Sequence, residues 1–272
     1  MKLGVLINYS KGTDIAAEFK KALDMELPTC QLCVWDMDMY TGANAAAVNS
    51  AVKETGFEIS GLWAGWSGPA AWNFYDGPLT LGLVPRAYRA HRLKELFAAA
   101  DFAAGINVTD VITHIGFLPE NPNDEDYHGA VAAVKSLAKY MEQKGQYFLF
   151  ETGQETPTTM LRAFEDIGAG NLGVNFDSGN LIMYGNANAV DAAGMLGKYI
   201  RGVHCKDGEY PVCGKKLGAE KPLGQGRVDF PALIAKLKNM GYDRCLTIER
   251  EISGEQQIAD IKNARDLLQE LI

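Results

Sequence analysis

The sequence predicts an α/β fold in which eight parallel strands close into a (β/α)8 barrel with helices outside. Three observations carry this. Short apolar runs alternate with longer amphipathic or Ala-rich segments eight times across the 272 residues. No linker and no shift of composition divides the chain, so residues 1–272 read as a single domain. The turn after the first run, residues 8–14, lacks the Gly-x-Gly-x-x-Gly of an open dinucleotide-binding sheet, which is the main alternative.

Residues 3–8 are a buried apolar strand, and Asp14 suits the N-cap of an amphipathic helix over 15–25. Residues 30–35 form the second strand. The Ala-rich helix over 44–55 stops at Gly56. Residues 59–64 form the third strand, which opens into an aromatic loop, 65–75, containing Trp66 and Trp72. A long helix follows over about 85–104, with Arg86, Arg89 and Arg92 expected on a solvated face. Residues 110–114 are the fourth strand and 127–144 its helix, ended by Gly145. The fifth to eighth strands lie at 147–151, 172–177, 200–204 and 245–249. Helices at 157–167, 187–196, 230–240 and 256–271 follow them. Residues 223–226 have the glycines of a phosphate cradle but no Lys-Ser/Thr after them, so they are expected to be a structural turn.

Composition narrows the function classes. A net charge of −8 and a pI near 5.1 repel phosphate backbones, so nucleic acid is not an expected partner. A small anion could still be held by a local Arg or Lys. No stretch approaches the roughly 18 apolar residues of a membrane span. The apolar N-terminal run is short and has no cleavage site after it. A cytoplasmic, membrane-free protein is therefore expected. The five cysteines are odd in number, and the Cys30-x-x-Cys33 pair sits inside a strand. With no second pair at metal-ligand spacing, all five are read as reduced, inert thiols.

In such a barrel the active site lies at the carboxyl ends of the strands. Those ends carry Asn8, Trp35 and Asp36, Trp63 and Trp66, His114, Glu151, Asp177, His204 and Glu249. The last four come from four successive strands and must converge on one side of the mouth. Three carboxylates in a small volume force protonation unless a strong positive charge joins them. One bound divalent cation resolves this. Three oxygens and one imidazole suit Mn²⁺ first, with Mg²⁺, Co²⁺ or Zn²⁺ as alternatives. Glu251 rivals Glu249, because residues two apart on a strand face the same side. Glu249 lies nearer the apolar run and is preferred.

The strings Phe-Leu-Phe-Glu151-Thr, Val-Asn-Phe-Asp177-Ser-Gly-Asn180, Val-His204-Cys-Lys206-Asp207, Pro-Leu-Gly-Gln-Gly-Arg-Val-Asp-Phe and Leu-Thr-Ile-Glu249-Arg-Glu resemble the xylose isomerase-like TIM-barrel superfamily. Its sugar phosphate isomerase/epimerase branch is the most similar in style. The resemblance implies that Glu151, Asp177, His204 and Glu249 bind one divalent metal. It also implies that Glu151 and Glu249 flank the substrate as acid and base. Where similar ketose 3-epimerases have His three residues past the Asp ligand, this chain has Asn180. Where they carry Arg six residues past the His ligand, it has Tyr210. The His-x-Lys-Asp of 204–207 resembles the inosose dehydratases instead. Multi-zinc endonucleases of the superfamily use several further histidines, and this chain has four in all.

The expected function is a divalent-metal-dependent sugar isomerase or epimerase, transferring protons through a metal-stabilised enediolate. An inosose-type dehydratase using the same metal site is one alternative. A non-catalytic carbohydrate-binding barrel is another. The expected partner is a small polyol or sugar, and a homo-oligomer is possible. His114, Lys206, Trp66 and Asn180 are the candidate substrate-binding residues. Three of them have a plainer reading. His114 would be a hydrogen-bonded mouth histidine, Lys206 a surface cation paired with Asp207, and Trp66 loop packing.

Overall fold

The computed structural model describes residues Met1–Ile272. The strands are β1 (Lys2–Asn8), β2 (Thr29–Val34), β3 (Glu58–Ala64), β4 (Asp110–Thr113), β5 (Tyr147–Glu151), β6 (Leu172–Asp177), β7 (Ile200–Cys205) and β8 (Cys245–Ile248). Each pairs in parallel with the next, and β8 pairs with β1, so the sheet closes into the expected eight-stranded barrel. The helices are α1 (Ile15–Asp24), α2 (Gly42–Thr55), α3 (Gly77–Thr80), α4 (Arg86–Gly105), α5 (Glu125–Glu142), α6 (Pro157–Ile167), α7 (Ser178–Met183), α8 (Ala189–Leu196), α9 (Phe230–Asn239) and α10 (Glu255–Leu271). A short antiparallel ribbon joins Asp207–Gly208 to Glu220–Lys221.

The strands are buried on both faces, and their two-residue period separates two cores. Leu32, Leu62, Val111, Phe148 and Phe150 belong to the main core between barrel and helices. The intervening Cys33, Trp63, Ile112 and Leu149 form a separate cluster inside the barrel. The helix ends follow local chemistry. Asp14 caps α1 by accepting from the Ala17 N–H at 3.1 Å, and Gly56 closes α2 at φ 70°.

Three expectations need correction. First, α7 begins directly after β6. Asp177 is its N-cap, accepting from the Asn180 N–H at 2.6 Å. A six-residue helix is too short to show a period of 3.6 in sequence. Second, Arg92 is not on a solvated face. It is wholly buried and donates to four backbone carbonyls: Ser67 at 3.2 Å, Thr80 at 2.7 Å, Gly82 at 2.8 Å and Pro69 at 2.9 Å. Its guanidinium also lies over the Trp66 ring, 5.2 Å from the centroid. It thereby pins the aromatic loop to α4, and only Arg86 keeps the exposed role, paired with Glu125. Third, Lys206 does not pair with Asp207. The Asp207 carboxylate accepts from the backbone N–H groups of Gly208, Gly224, Gly226 and Val228, which makes 223–226 the structural turn foreseen.

Arg92→Lys keeps the charge but cannot reproduce a planar fork of five donors. It leaves buried carbonyls unpaired, and we expect a loss of about 2 kcal/mol or more in denaturant unfolding. A red shift of Trp emission should accompany it as the 65–75 loop loosens. Unchanged stability would show that the loop is held by other contacts.

Candidate metal centre and substrate cavity

Glu151, Asp177, His204 and Glu249 converge at the carboxyl end of the barrel. One potential ligand atom from each lies within 4.8 Å of all the others. His204 Nδ1 sits 3.2 Å from Glu151 Oε1, 3.6 Å from Asp177 Oδ2 and 3.1 Å from Glu249 Oε2. All four are buried or nearly so. Asp177 divides its two oxygens: Oδ1 caps α7, while Oδ2 is buried with no hydrogen-bond partner. An orphan carboxylate oxygen beside two further carboxylates is costly without a cation. The donor set therefore fits a divalent metal.

The electrostatics of the metal-free group follow the same logic. Burial pushes Asp177 up to about 7. Burial also opposes ionisation of Glu249 and Glu151. The charges of Lys206 and His204 nevertheless hold Glu249 well below its usual value, and His204 and His114 lower Glu151. Burial disfavours an imidazolium at His204, yet Glu151 and Glu249 raise it well above the ordinary range. Without metal, a proton on His204 supplies the missing positive charge.

The ligands rest on a layer of amides inside the barrel. His204 Nε2 donates to Gln31 Oε1 at 2.6 Å, which leaves Nδ1 facing the carboxylates. Gln31 Nε2 donates to Asn175 Oδ1 at 2.7 Å, and Asn175 Nδ2 donates to Glu151 Oε2 at 3.3 Å. Trp63 Nε1 donates to the same Glu151 oxygen. One chain of hydrogen bonds thus orients both an imidazole and a carboxylate of the group. Gly202 makes room for it. A Cβ there would lie 2.4 Å from Asn175 Oδ1 and 3.0 Å from Gln31 Nε2. The strand pairing slips at both amides, between Cys30 and Gln31 on β2 and between Val174 and Asn175 on β6. Irregularities of this kind re-aim side chains beside functional sites.

A cavity of about 620 Å³ opens above the group. Its walls include Glu151 and Glu249, but not the deeper Asp177 and His204. His114 and Asn180 line it. His114 Nε2 lies 3.8 Å from Glu151 Oε1, and its ring meets Trp63 and Trp72 edge-on. Burial lowers its pKa, so it stays neutral. Trp66 is not a wall residue. It packs one layer back against Trp35, and the aromatic walls are Trp35, Trp63, Trp72 and Tyr184. Lys206 is buried, held 3.3 Å from Glu249 Oε2 and 2.9 Å from Glu251 Oε1. Glu251 therefore serves the lysine and lies outside the four-residue group.

The sequence profile of the xylose isomerase-like TIM barrel matches residues 19–271. The chain belongs to that family. A xylose isomerase domain protein from Planctomyces limnophilus is 33% identical, with a TM-score of 0.92 over 99% of this chain and 96% of that one. A D-tagatose 3-epimerase-like protein shares the fold at 18% identity, with a TM-score of 0.76 over 100% and 98%. So does the probable 3-DHS dehydratase AsbF of Bacillus anthracis, at 17% and 0.70 over 99% of each chain. A curated relative, an uncharacterised protein of Methanocaldococcus jannaschii, is 26% identical over 60% of this chain. The chain spans only 56% of that relative's length. No helix is long and apolar enough to cross a membrane.

Sequence reasoning missed Gln31, Asn175 and Gly202. The signal was present: an amide in the middle of an apolar strand is expensive unless it has a partner. What the sequence could not state was which amide meets which.

Two outcomes follow for metal binding. Gln31→Leu frees the imidazole and should weaken Mg²⁺ or Mn²⁺ affinity about ten- to hundred-fold by calorimetry, with the far-UV spectrum unchanged. Because His204 and Asp177 hold protons that a metal must displace, affinity should rise with pH across neutrality. Calorimetry in buffers of different ionisation enthalpy should then show proton release. Binding without release would mean that these side chains are not the ligands.

Proposed function

We propose that the protein is a metal-dependent sugar isomerase or epimerase that moves a proton on the carbon beside a carbonyl. One observation carries this reading. Of the four clustered residues, only Glu151 and Glu249 reach the cavity wall, so the two groups that touch a substrate are both proton carriers. Glu151, Asp177, His204 and Glu249 would hold the divalent cation, with Mn²⁺ or Mg²⁺ best suited, and when bound it would supply Lewis-acid polarisation of a substrate carbonyl. One glutamate takes the carbon-bound proton and the other returns one. Return to the same carbon from the opposite face inverts it. Return to the neighbouring carbon exchanges aldose for ketose.

The chain's own residues set the conditions for that transfer. Trp63 and Asn175 hold Glu151 Oε2 and leave Oε1 towards the centre. Lys206 keeps Glu249 ionised, the form that can accept a proton. His114 and Asn180 offer polar contacts to hydroxyls, and Trp72 presents an apolar face to the ring. Gln31 orients His204 and is a positioning residue.

One observation supports a second reading. The buried Lys206 ammonium lies 3.3 Å from Glu249, with Glu249 and Glu251 overcoming burial to keep it protonated. A fixed acid beside a base is what loss of a β-hydroxyl requires. Glu151 would take the carbon-bound proton, the C–O bond would break, and the departing oxygen would leave as water with a proton that Lys206, behind the wall, passes through Glu249 at 3.3 Å. This would make the protein an inosose-type dehydratase on the same site.

Incubation of the metal-loaded protein with ketoses and inososes in heavy water separates the readings. Deuterium gain without loss of water identifies the isomerase or epimerase, and an absorbing enone identifies the dehydratase. Glu151→Gln and Glu249→Gln should each slow exchange about a hundred- to ten-thousand-fold. Full exchange in both variants would sink the proton-transfer scheme. Binding with no exchange for any ligand would favour a carbohydrate-binding barrel.

A further inference from the structure

We propose that the natural substrate is an uncharged compound of two rings. A polyhydroxy carbonyl ring sits over the four-residue group, and a second flat ring, sugar or arene, stacks on Trp35 and Trp72. This deepens the proposed function and rests on it for the inner ring only.

Charge excludes the phosphorylated class. Arg250 is the one permanent cation among the cavity walls, and it is already held by Glu220 at 2.6 Å and Asp260 at 2.8 Å. Lys206, just behind the wall, is held by Glu249 and Glu251. Glu151, Glu249 and Glu251 are themselves walls. A divalent ion against three carboxylates leaves the centre at about −1, so a phosphate would meet net negative charge and no free cation. The loop lysines Lys215 and Lys216 are exposed and do not line the cavity.

Size and surface then ask for more than one ring. The 620 Å³ cavity falls inside the range of about 300–1,000 Å³ that encloses drug-sized ligands. A monosaccharide, with about half the atoms of such a ligand, would leave the outer part to water. One side of that outer part is aromatic. Trp35 and Trp72 line the cavity yet remain 40% and 41% exposed, their rings edge-to-face at 6.3 Å. Trp35 also meets Trp63, whose indole donates to Glu151, so an aromatic surface runs unbroken from the centre to the rim. Large apolar faces left open beside a polar site mark a binding surface. A second ring covers them with an arene face or with the apolar C–H face of a pyranose.

The test is calorimetric, on the full chain loaded with Mg²⁺. Ligands are hexoses that carry a ring ketone away from the anomeric carbon, the same sugars as phosphates, and their phenyl and glucosyl glycosides, in which the ketone is kept. Glycosides should bind at least ten-fold more tightly than the parent sugars, and phosphates more weakly. Gain with the phenyl series identifies an arene as the outer ring, and gain with the glucosyl series a sugar. In Trp35→Ala and, separately, Trp72→Leu, the ratio of glycoside to free-sugar affinity should fall towards one. Equal affinity for sugar and glycoside, tighter binding of a phosphate, or no binding by any glycoside overturns the inference. Solvent exchange measured alongside keeps the two claims apart. Exchange on free ketoses without glycoside preference removes only the second ring. Glycoside preference without exchange removes only the proposed chemistry.

Discussion

Mutual repulsion among three carboxylates in one buried space governs the upper half of this barrel. Glu151, Asp177 and Glu249 cannot all ionise there without compensating charge. The chain supplies part of it. His204 is drawn into its protonated form, Lys206 is fixed against Glu249, and one Asp177 oxygen is tied to the start of α7. The other Asp177 oxygen accepts no hydrogen bond, and His204 Nδ1 comes only within 3.6 Å of it. That residual imbalance is the strongest sign of a metal, because a site built only for stability would have replaced one carboxylate with an apolar side chain.

Holding such a group in shape demands rigidity from below, and the barrel interior provides it unusually. Interiors of these barrels are normally filled by branched apolar layers. Here Gln31 and Asn175 occupy the layer beneath the ligands, and Gly202 gives up its side chain so that their amides can meet. The slips in strand pairing at those same two residues place extra residues, Ser60 and Arg201, on the neighbouring strands. Arg201 then turns to the opposite end of the barrel, where Asp110 accepts from it at 2.9 and 3.1 Å. One irregularity thus serves the amide layer above and an ion pair below.

How far the sequence revealed this depends on the range of the interaction. The eight strands and their helices were legible because apolar period and capping residues are local signals. Strand ends moved by only a residue or so, as with β4, which stops at Thr113 rather than His114. The four-residue group was legible because strand order in a barrel converts chain position into spatial position. Long-range pairings were not. Arg92 sits on a helix with Arg86 and Arg89 and looks like them in sequence. Only the path of the 65–82 segment brings four carbonyls to it. Lys206 next to Asp207 invited a local ion pair, yet alternation along the chain sends the lysine towards Glu249 and Glu251 and leaves the aspartate to the backbone of a distant turn. Trp66 failed for a similar reason. A loop tryptophan near a mouth can form the wall or buttress it, and the cation beneath decides which.

The two sides of the cavity are built by different physics, and this bears on what each can change. On the β5 to β8 side every important group is an ionisable side chain at a strand end, locked by hydrogen bonds into the barrel. A shift there disturbs several partners at once. On the β2 to β4 side the wall is aromatic, contributed partly by a loop, and anchored at one point by a buried guanidinium. Contacts within that wall are ring edges and faces, which tolerate exchange of one flat side chain for another better than a charged network tolerates loss of a ligand. Change is therefore constrained where the strands end and is better tolerated in the loop.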